Sequence, residues 1–139
     1  GGIRTPFIAH WPGVIKPGMT AQVGHIIDVS ATFRDITGAK YPTHILGNRT
    51  KPPIGKSLLP IFKGKQREPH AEIYWHFNRA NAVRQGDLKV VRAGKDWELY
   101  DLKADPTEMH DLAKERPEKT AELAQMWEDW RQNYKNKPK

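Results

Sequence analysis

The sequence has no cysteine in its 139 residues, which excludes disulfides, zinc fingers, thiolate metal sites and a thiol nucleophile. It has no apolar run near the roughly 20 residues that a membrane-spanning helix requires, and no Lys/Arg-then-apolar leader opens it, so no membrane partner is expected. Runs of about five or six like charges are missing too, which argues against a dedicated nucleic-acid tail. A Gly-rich phosphate loop, a His-Glu-x-x-His pair and a nucleophile-elbow serine are all absent. The six histidines, at positions 10, 25, 44, 70, 76 and 110, never pair at the spacing of about three to five residues typical of a metal site. The usual enzyme signatures are therefore missing.

What is present is a soluble, polar-leaning composition. Hydrophobic residues make up 37% and charged residues 28%, and the mean hydropathy is −0.76, enough for a modest core but not a large one. The length suits one ordinary domain or two small halves. A net charge of +7 raises the expectation of an anionic partner, whether nucleic acid, acidic polysaccharide or an acidic neighbouring domain. The first residues read as a turn running into a strand with no initiating Met, so the chain is expected to start inside a larger protein.

Along the chain, Pro6 to Trp11 is apolar and bounded by Pro12-Gly13, as in a buried strand delivered into a turn. Ile26, Ile27, Val29, Phe33 and Ile36 recur at helical spacing, with Asp28 or Ser30 as cap, His25 half exposed before it and Gly38 as stop. Lys40 to Pro53 reads as an irregular surface loop. Gly55 to Gly64 is an apolar anchor around Leu58, Leu59, Ile61 and Phe62. The polar stretch Gly64 to Pro69 marks an internal boundary, which divides the chain into 1–68 and 69–139.

Beyond it, Glu72 to Phe77, Ala80 to Gln85, Leu88 to Arg92 and Trp97 to Tyr100 are short and β-prone, and the last three are set apart by Gly86-Asp87 and Gly94-Lys95-Asp96. They predict a four-stranded antiparallel meander. Asp105-Pro106-Thr107-Glu108 is a turn by composition. Pro117 suits the first position of a helix that runs to about Tyr134. Its stripe of Leu123, Met126, Trp127, Trp130 and Tyr134 faces the sheet, and the tail beyond it is expected to fray.

Among polar clusters, His76, Asn78 and Arg79 stand just before the second strand of the meander, between Trp75, Phe77 and Ala80. They suit an anionic or hydroxyl ligand at a cleft. Arg4, in a Gly-Gly-x-Arg-x-Pro context, suits a structural ion pair.

Several blocks together resemble the type I sulfatases. Gly1-Gly2-Ile3-Arg4-Thr5-Pro6-Phe7 and Trp11-Pro12-Gly13 are similar to the family's Glu-Gly-Gly-x-Arg-x-Pro…Trp-Pro-Gly segment. Gly24-His25-Ile26-Ile27-Asp28…Ala31-Thr32, Gly38 and Gly55-Lys56-Ser57-Leu58-Leu59-Pro60 follow in family order. Ala82-Val83-Arg84-Gln85-Gly86-Asp87-Leu88-Lys89 resembles the strands of the family's small C-terminal domain. Trp97 to Leu102, Asp105 to Glu108 and Asp111-Leu112 complete the match, and the arylsulfatase branch fits best.

The resemblance implies an α+β fold: the last strand and helix of an α/β alkaline-phosphatase-like catalytic domain, then a four-stranded antiparallel sheet covered by a helix. It implies a parent enzyme that hydrolyses sulfuric esters, with a formylglycine nucleophile and a calcium ion. Neither Ser30 nor Ser57 begins the modification motif, so no catalytic or metal-binding residue is assigned here and the isolated chain is expected to be inactive. The implied partners are its own N-terminal catalytic domain and a sulfate ester, including sulfated glycans, with no nucleic acid. His76, Asn78 and Arg79 are the expected substrate-binding residues, and the implied location is periplasmic or secreted. Three alternatives remain: a binding module for polyanions or sulfated glycans, part of a related phosphate or phosphonate ester hydrolase, and a purely structural domain whose basic charge offsets an acidic catalytic partner.

Overall fold

A computed structural model describes residues 5–135 of the protein; Arg4 and the tail beyond Lys135 lie outside the described residues. The chain divides into two compact units, one spanning Pro6–His70 and one beginning at Ala71.

In the first unit, helix α1 spans Ile26–Thr37 and ends at Gly38, whose φ of 71° is the left-handed conformation that glycine adopts without a Cβ penalty. Its entry differs from the expected cap. His25 is the N-cap: its Nδ1 accepts the Ile27 N–H, while Asp28 reaches back to the His25 N–H at 2.9 Å. This is a capping box built with an imidazole in place of the usual hydroxyl. The buried side is also not the apolar one expected, since Asp28, Ala31 and Thr32 are buried while Ile26 and Phe33 remain 76% and 63% exposed. Polar bonds to a distant loop decide which way the helix faces, as described below.

The expected loop at 40–53 holds a small hairpin, in which β1 (His44–Ile45) pairs with β2 (Asn48–Arg49) across Leu46-Gly47. A four-residue helix, α2 (Leu59–Phe62), opens with proline in its first turn. The strand expected at Pro6 to Trp11 is not formed. A strand buried in a parallel sheet depends on neighbours, and none lies beside this segment among the described residues.

The second unit has the predicted architecture. Strands β3 (Glu72–Phe77), β4 (Ala80–Gln85), β5 (Leu88–Arg92) and β6 (Glu98–Asp101) form an antiparallel meander in chain order. Register places Tyr74, Val83, Val90 and Leu99 side by side on one face. Helix α3 (Pro117–Lys135) lays Leu123 and Trp127 on that row, and these five residues, Val83, Val90, Leu99, Leu123 and Trp127, make the core. The Trp127 indole N–H donates to the Trp75 carbonyl at 2.9 Å, so the ring is buried with its polar atom satisfied. On the other face Ile73, Ala82, Lys89 and Tyr100 are also buried. The Lys89 ammonium is paired there with Glu108, which holds φ at 60°.

After β6, Asp105 accepts the backbone N–H groups of Met109 and His110 at 2.7 and 2.8 Å, the turn chemistry its sequence predicts. The chain then returns along β6. Leu99 donates its N–H to Asp111 Oδ1 and accepts from the Leu112 N–H, so both of its main-chain groups are engaged.

Because Leu123 is fully buried against three strands, Leu123→Ala is expected to lower stability by about 3 kcal/mol through lost burial and a residual cavity. Urea unfolding followed by tryptophan fluorescence measures this. A loss under about 1 kcal/mol, the range of surface substitutions, would show that α3 is not docked as described.

Candidate functional site

The β3–β4 hairpin brings the predicted residues to one end of the sheet. Its two-residue turn is Asn78-Arg79, with Asn78 at φ 52°, a conformation that asparagine adopts more readily than most residues. The Asn78 and Arg79 side chains are exposed and make no hydrogen bond or ion pair among the described residues. Phe77, immediately before the turn, is 76% exposed.

His76 belongs to a different environment. Register aligns it with Asn81 and Arg92 across three strands, on the face that carries α3. Its ring lies 5.7 Å from Trp127, and its Nδ1 is 2.8 Å from the Asn81 amide. Arg92 stacks over the Trp97 ring at 4.5 Å and pairs with Glu128 at 3.0 Å, an arrangement that suits its flat guanidinium. Asn81 and Arg92 are site neighbours that sequence reasoning missed. The signal was present, because strands joined by a two-residue turn pair His76 with Asn81, and the next hairpin brings Arg92 onto the same face.

A second polar centre lies in the Pro6–His70 unit. Asp28 is fully buried, and its carboxylate accepts from the backbone N–H groups of His25 and Lys56, the Arg67 guanidinium and His70 Nε2, at 2.7 to 2.9 Å. Burial alone would push this carboxyl up. The Lys56 and His25 amides, the His70 hydrogen bond and the Arg67 charge outweigh burial and hold it below its ordinary value. Thr32 extends the network by accepting the Leu58 N–H at 2.8 Å. Arg67 is anchored further by donating to the carbonyls of Lys56 and Val23. Every Asp28 contact is a donor of this unit, so the centre fastens the 55–70 loop to α1.

Neither centre fits a calcium ion. Among the described residues no group of three or more His, Asp or Glu side chains could hold a metal, and the oxygens of Asp28 are already engaged by four donors. A formylglycine has no source residue either, because the sequence has no cysteine and both serines lie outside the modification motif. Among the described residues no helix is long and apolar enough to cross a membrane.

A helix-backed antiparallel meander, preceded by a Gly-His-x-x-Asp helix entry and a Gly-x-Ser-Leu-x-Pro anchor, defines the C-terminal portion of a type I sulfatase. More particularly, the family model described as N-sulphoglucosamine sulphohydrolase, C-terminal, matches residues 1–136, and the chain belongs to that family. It is 31% identical over 153 aligned positions to an ulvan-active sulfatase of Formosa agariphila, covering 81% of this chain and 29% of that protein. It is 30% identical to an N-acetylglucosamine-6-O-sulfatase of Bacteroides thetaiotaomicron, covering 96% of this chain and 26% of the relative. A solved Bacteroides thetaiotaomicron structure, described in connection with the metabolism of multiple glycosaminoglycans, superposes on 86% of this chain and 27% of its own with a TM-score of 0.67 at 24% identity, which shows the shared fold. The chain thus spans between a quarter and a third of the length of these curated relatives.

Proposed function

We propose that this chain is the C-terminal part of an arylsulfatase-like sulfuric ester hydrolase, with 1–68 as the tail of the catalytic domain and 69–139 as the C-terminal subdomain. In this reading the chain is inactive alone. The formylglycine and the calcium ion belong to the catalytic domain of the same polypeptide, and the enzyme is exported to the periplasm or outside the cell. The chain's own contribution is the β3–β4 hairpin, which presents His76, Asn78 and Arg79 to the substrate pocket. The substrate class is a sulfated glycan, in keeping with the sugar named for the 6-O-sulfatase relative.

The observation that carries this reading is the Arg79 cation, which is exposed at a turn whose strands are locked into the sheet and is paired with nothing among the described residues. A cation so placed is available to an anionic ligand and is held by a rigid scaffold. In the whole enzyme, Arg79→Ala is expected to raise KM for a sulfated sugar about tenfold with little change in kcat, since a contact kept equally in ground and transition states is lost. An unchanged KM would remove the hairpin from the site.

The charge of +7 favours a second reading, a polyanion-binding module. Retention of this chain on heparin that falls steeply with salt, with no KM effect in Arg79→Ala, would support that reading over the first.

A further inference from the structure

Asn81 is a buried amide, 8% exposed, that connects His76 to Arg92, and its orientation fixes the state of the imidazole. With the amide oxygen toward His76, it would face the Ala80 carbonyl at 3.1 Å, acceptor against acceptor. The NH2 group would then face the Arg92 guanidinium at 3.3 Å, donor against donor. The opposite orientation satisfies these three neighbours and gives up only the long 3.4 Å bond from the NH2 group to the Arg79 carbonyl. The NH2 donates to the Ala80 carbonyl and to His76 Nδ1 at 2.8 Å, and the oxygen accepts from Arg92. Because arginine can only donate and a carbonyl can only accept, the Ala80 carbonyl at 3.1 Å and the Arg92 donor at 3.3 Å together outweigh the single, longer contact to the Arg79 carbonyl and favour this orientation.

A donor against Nδ1 leaves that nitrogen as the acceptor, so the neutral ring carries its proton on Nε2. His76 is exposed, and Nε2 has no partner among the described residues. The chain of contacts Glu128–Arg92–Asn81–His76 is anchored by the Arg92 stack on Trp97 and by Trp127 beside the imidazole. Its outer end is therefore a single N–H donor of defined direction.

We propose that Asn81 is a positioning residue that fixes His76 as the Nε2–H tautomer, so that the ring donates a hydrogen bond to a sulfate or hydroxyl oxygen of the sugar on the hairpin that bears Arg79. This rests on the reading above, that the hairpin borders the substrate.

The test uses the whole polypeptide, labelled with 15N at histidine. Long-range proton–nitrogen spectra of the neutral ring are expected to show His76 protonated at Nε2; protonation at Nδ1 would overturn the proposal. Asn81→Asp replaces the donor by an acceptor and is expected to move the proton to Nδ1 and to raise KM for a sulfated sugar about tenfold, the effect of losing a hydrogen bond to a charged group. A tautomer that stays at Nε2 in Asn81→Asp shows that Asn81 does not set it, which also overturns the proposal. If the tautomer inverts while KM stays the same and Arg79→Ala still raises KM, the donor role fails and the hairpin reading stands. If neither variant changes KM, the hairpin reading itself is wrong.

Discussion

Asp28→Ala is expected to cost the Pro6–His70 unit about 3–5 kcal/mol, the usual consequence of removing one member of a buried ion pair. The Arg67 side chain is only 4% exposed and His70 8%, so both would keep their buried positions with no carboxylate to meet them. The His25 and Lys56 amides would be stranded as well, and with them the cap of α1 and the attachment of the 55–70 loop. Hydrogen exchange resolved by peptide would show the loss as faster exchange across α1, with the β3–β6 meander unaffected. Unchanged protection of α1 would contradict the account.

Acid should produce the same loss by titration. The Asp28 carboxyl is held below its ordinary value in the folded unit, so its contribution is fully present above the unfolded carboxylate pKa of about 3.9. That contribution is lost as pH falls through the lower folded value. His25 acts in the same direction at higher pH. Burial lowers it, Asp28 raises it, His70 lowers it again, and the net effect is downward. A depressed imidazole disfavours proton uptake by the folded form, so stability begins to fall as pH drops below the unfolded histidine value of about 6.5. Melting curves across pH are expected to show both stages, and Asp28→Ala should remove the lower one.

Gly55→Ala is expected to be nearly as damaging, at about 3 kcal/mol or more, because main chain cannot yield as a side-chain tip can. A Cβ on Gly55 would meet the Ile27 carbonyl, lying 2.7 Å from its carbon and 3.2 Å from the Asp28 nitrogen. The next residue donates its N–H to Asp28, so relieving the clash pulls that bond apart. Gly24→Ala serves as the control, since a Cβ there meets only the Leu58 side chain at 3.6 Å, an ordinary contact. Equal melting temperatures for the two variants would refute the close approach.

The meander was legible because each of its strands is short, β-prone and separated from the next by a turn. Val83, Val90 and Leu99 then fall in register without further information. Helix α3 was legible from its 3.6-residue stripe, which ends up on the core through Leu123 and Trp127. The orientation of α1 was not legible. Its apolar spacing pointed to Ile26 and Phe33, but the helix is turned by Asp28 and Thr32, whose partners lie some 26 to 42 residues away. Buried polar bonds leave no periodic trace in a sequence. The imidazole cap was missed for a related reason, since histidine is not among the residues that favour that position. At the hairpin, the polar cluster flanked by Trp75 and Phe77, read together with the family resemblance, marked His76, Asn78 and Arg79 as candidates. The lateral links to Asn81 and Arg92 needed strand register, which pattern reading supplies only when the turn length is carried through to the pairing.

Leu112 and Asp111, lying along the outer margin of β6, also bear on how the protein behaves in a crowded cell. An uncovered final strand is a template on which a foreign segment can lengthen the sheet, the first step toward fibrils. With both main-chain groups of Leu99 occupied by its own chain, that margin gives newly made copies no free template at Leu99.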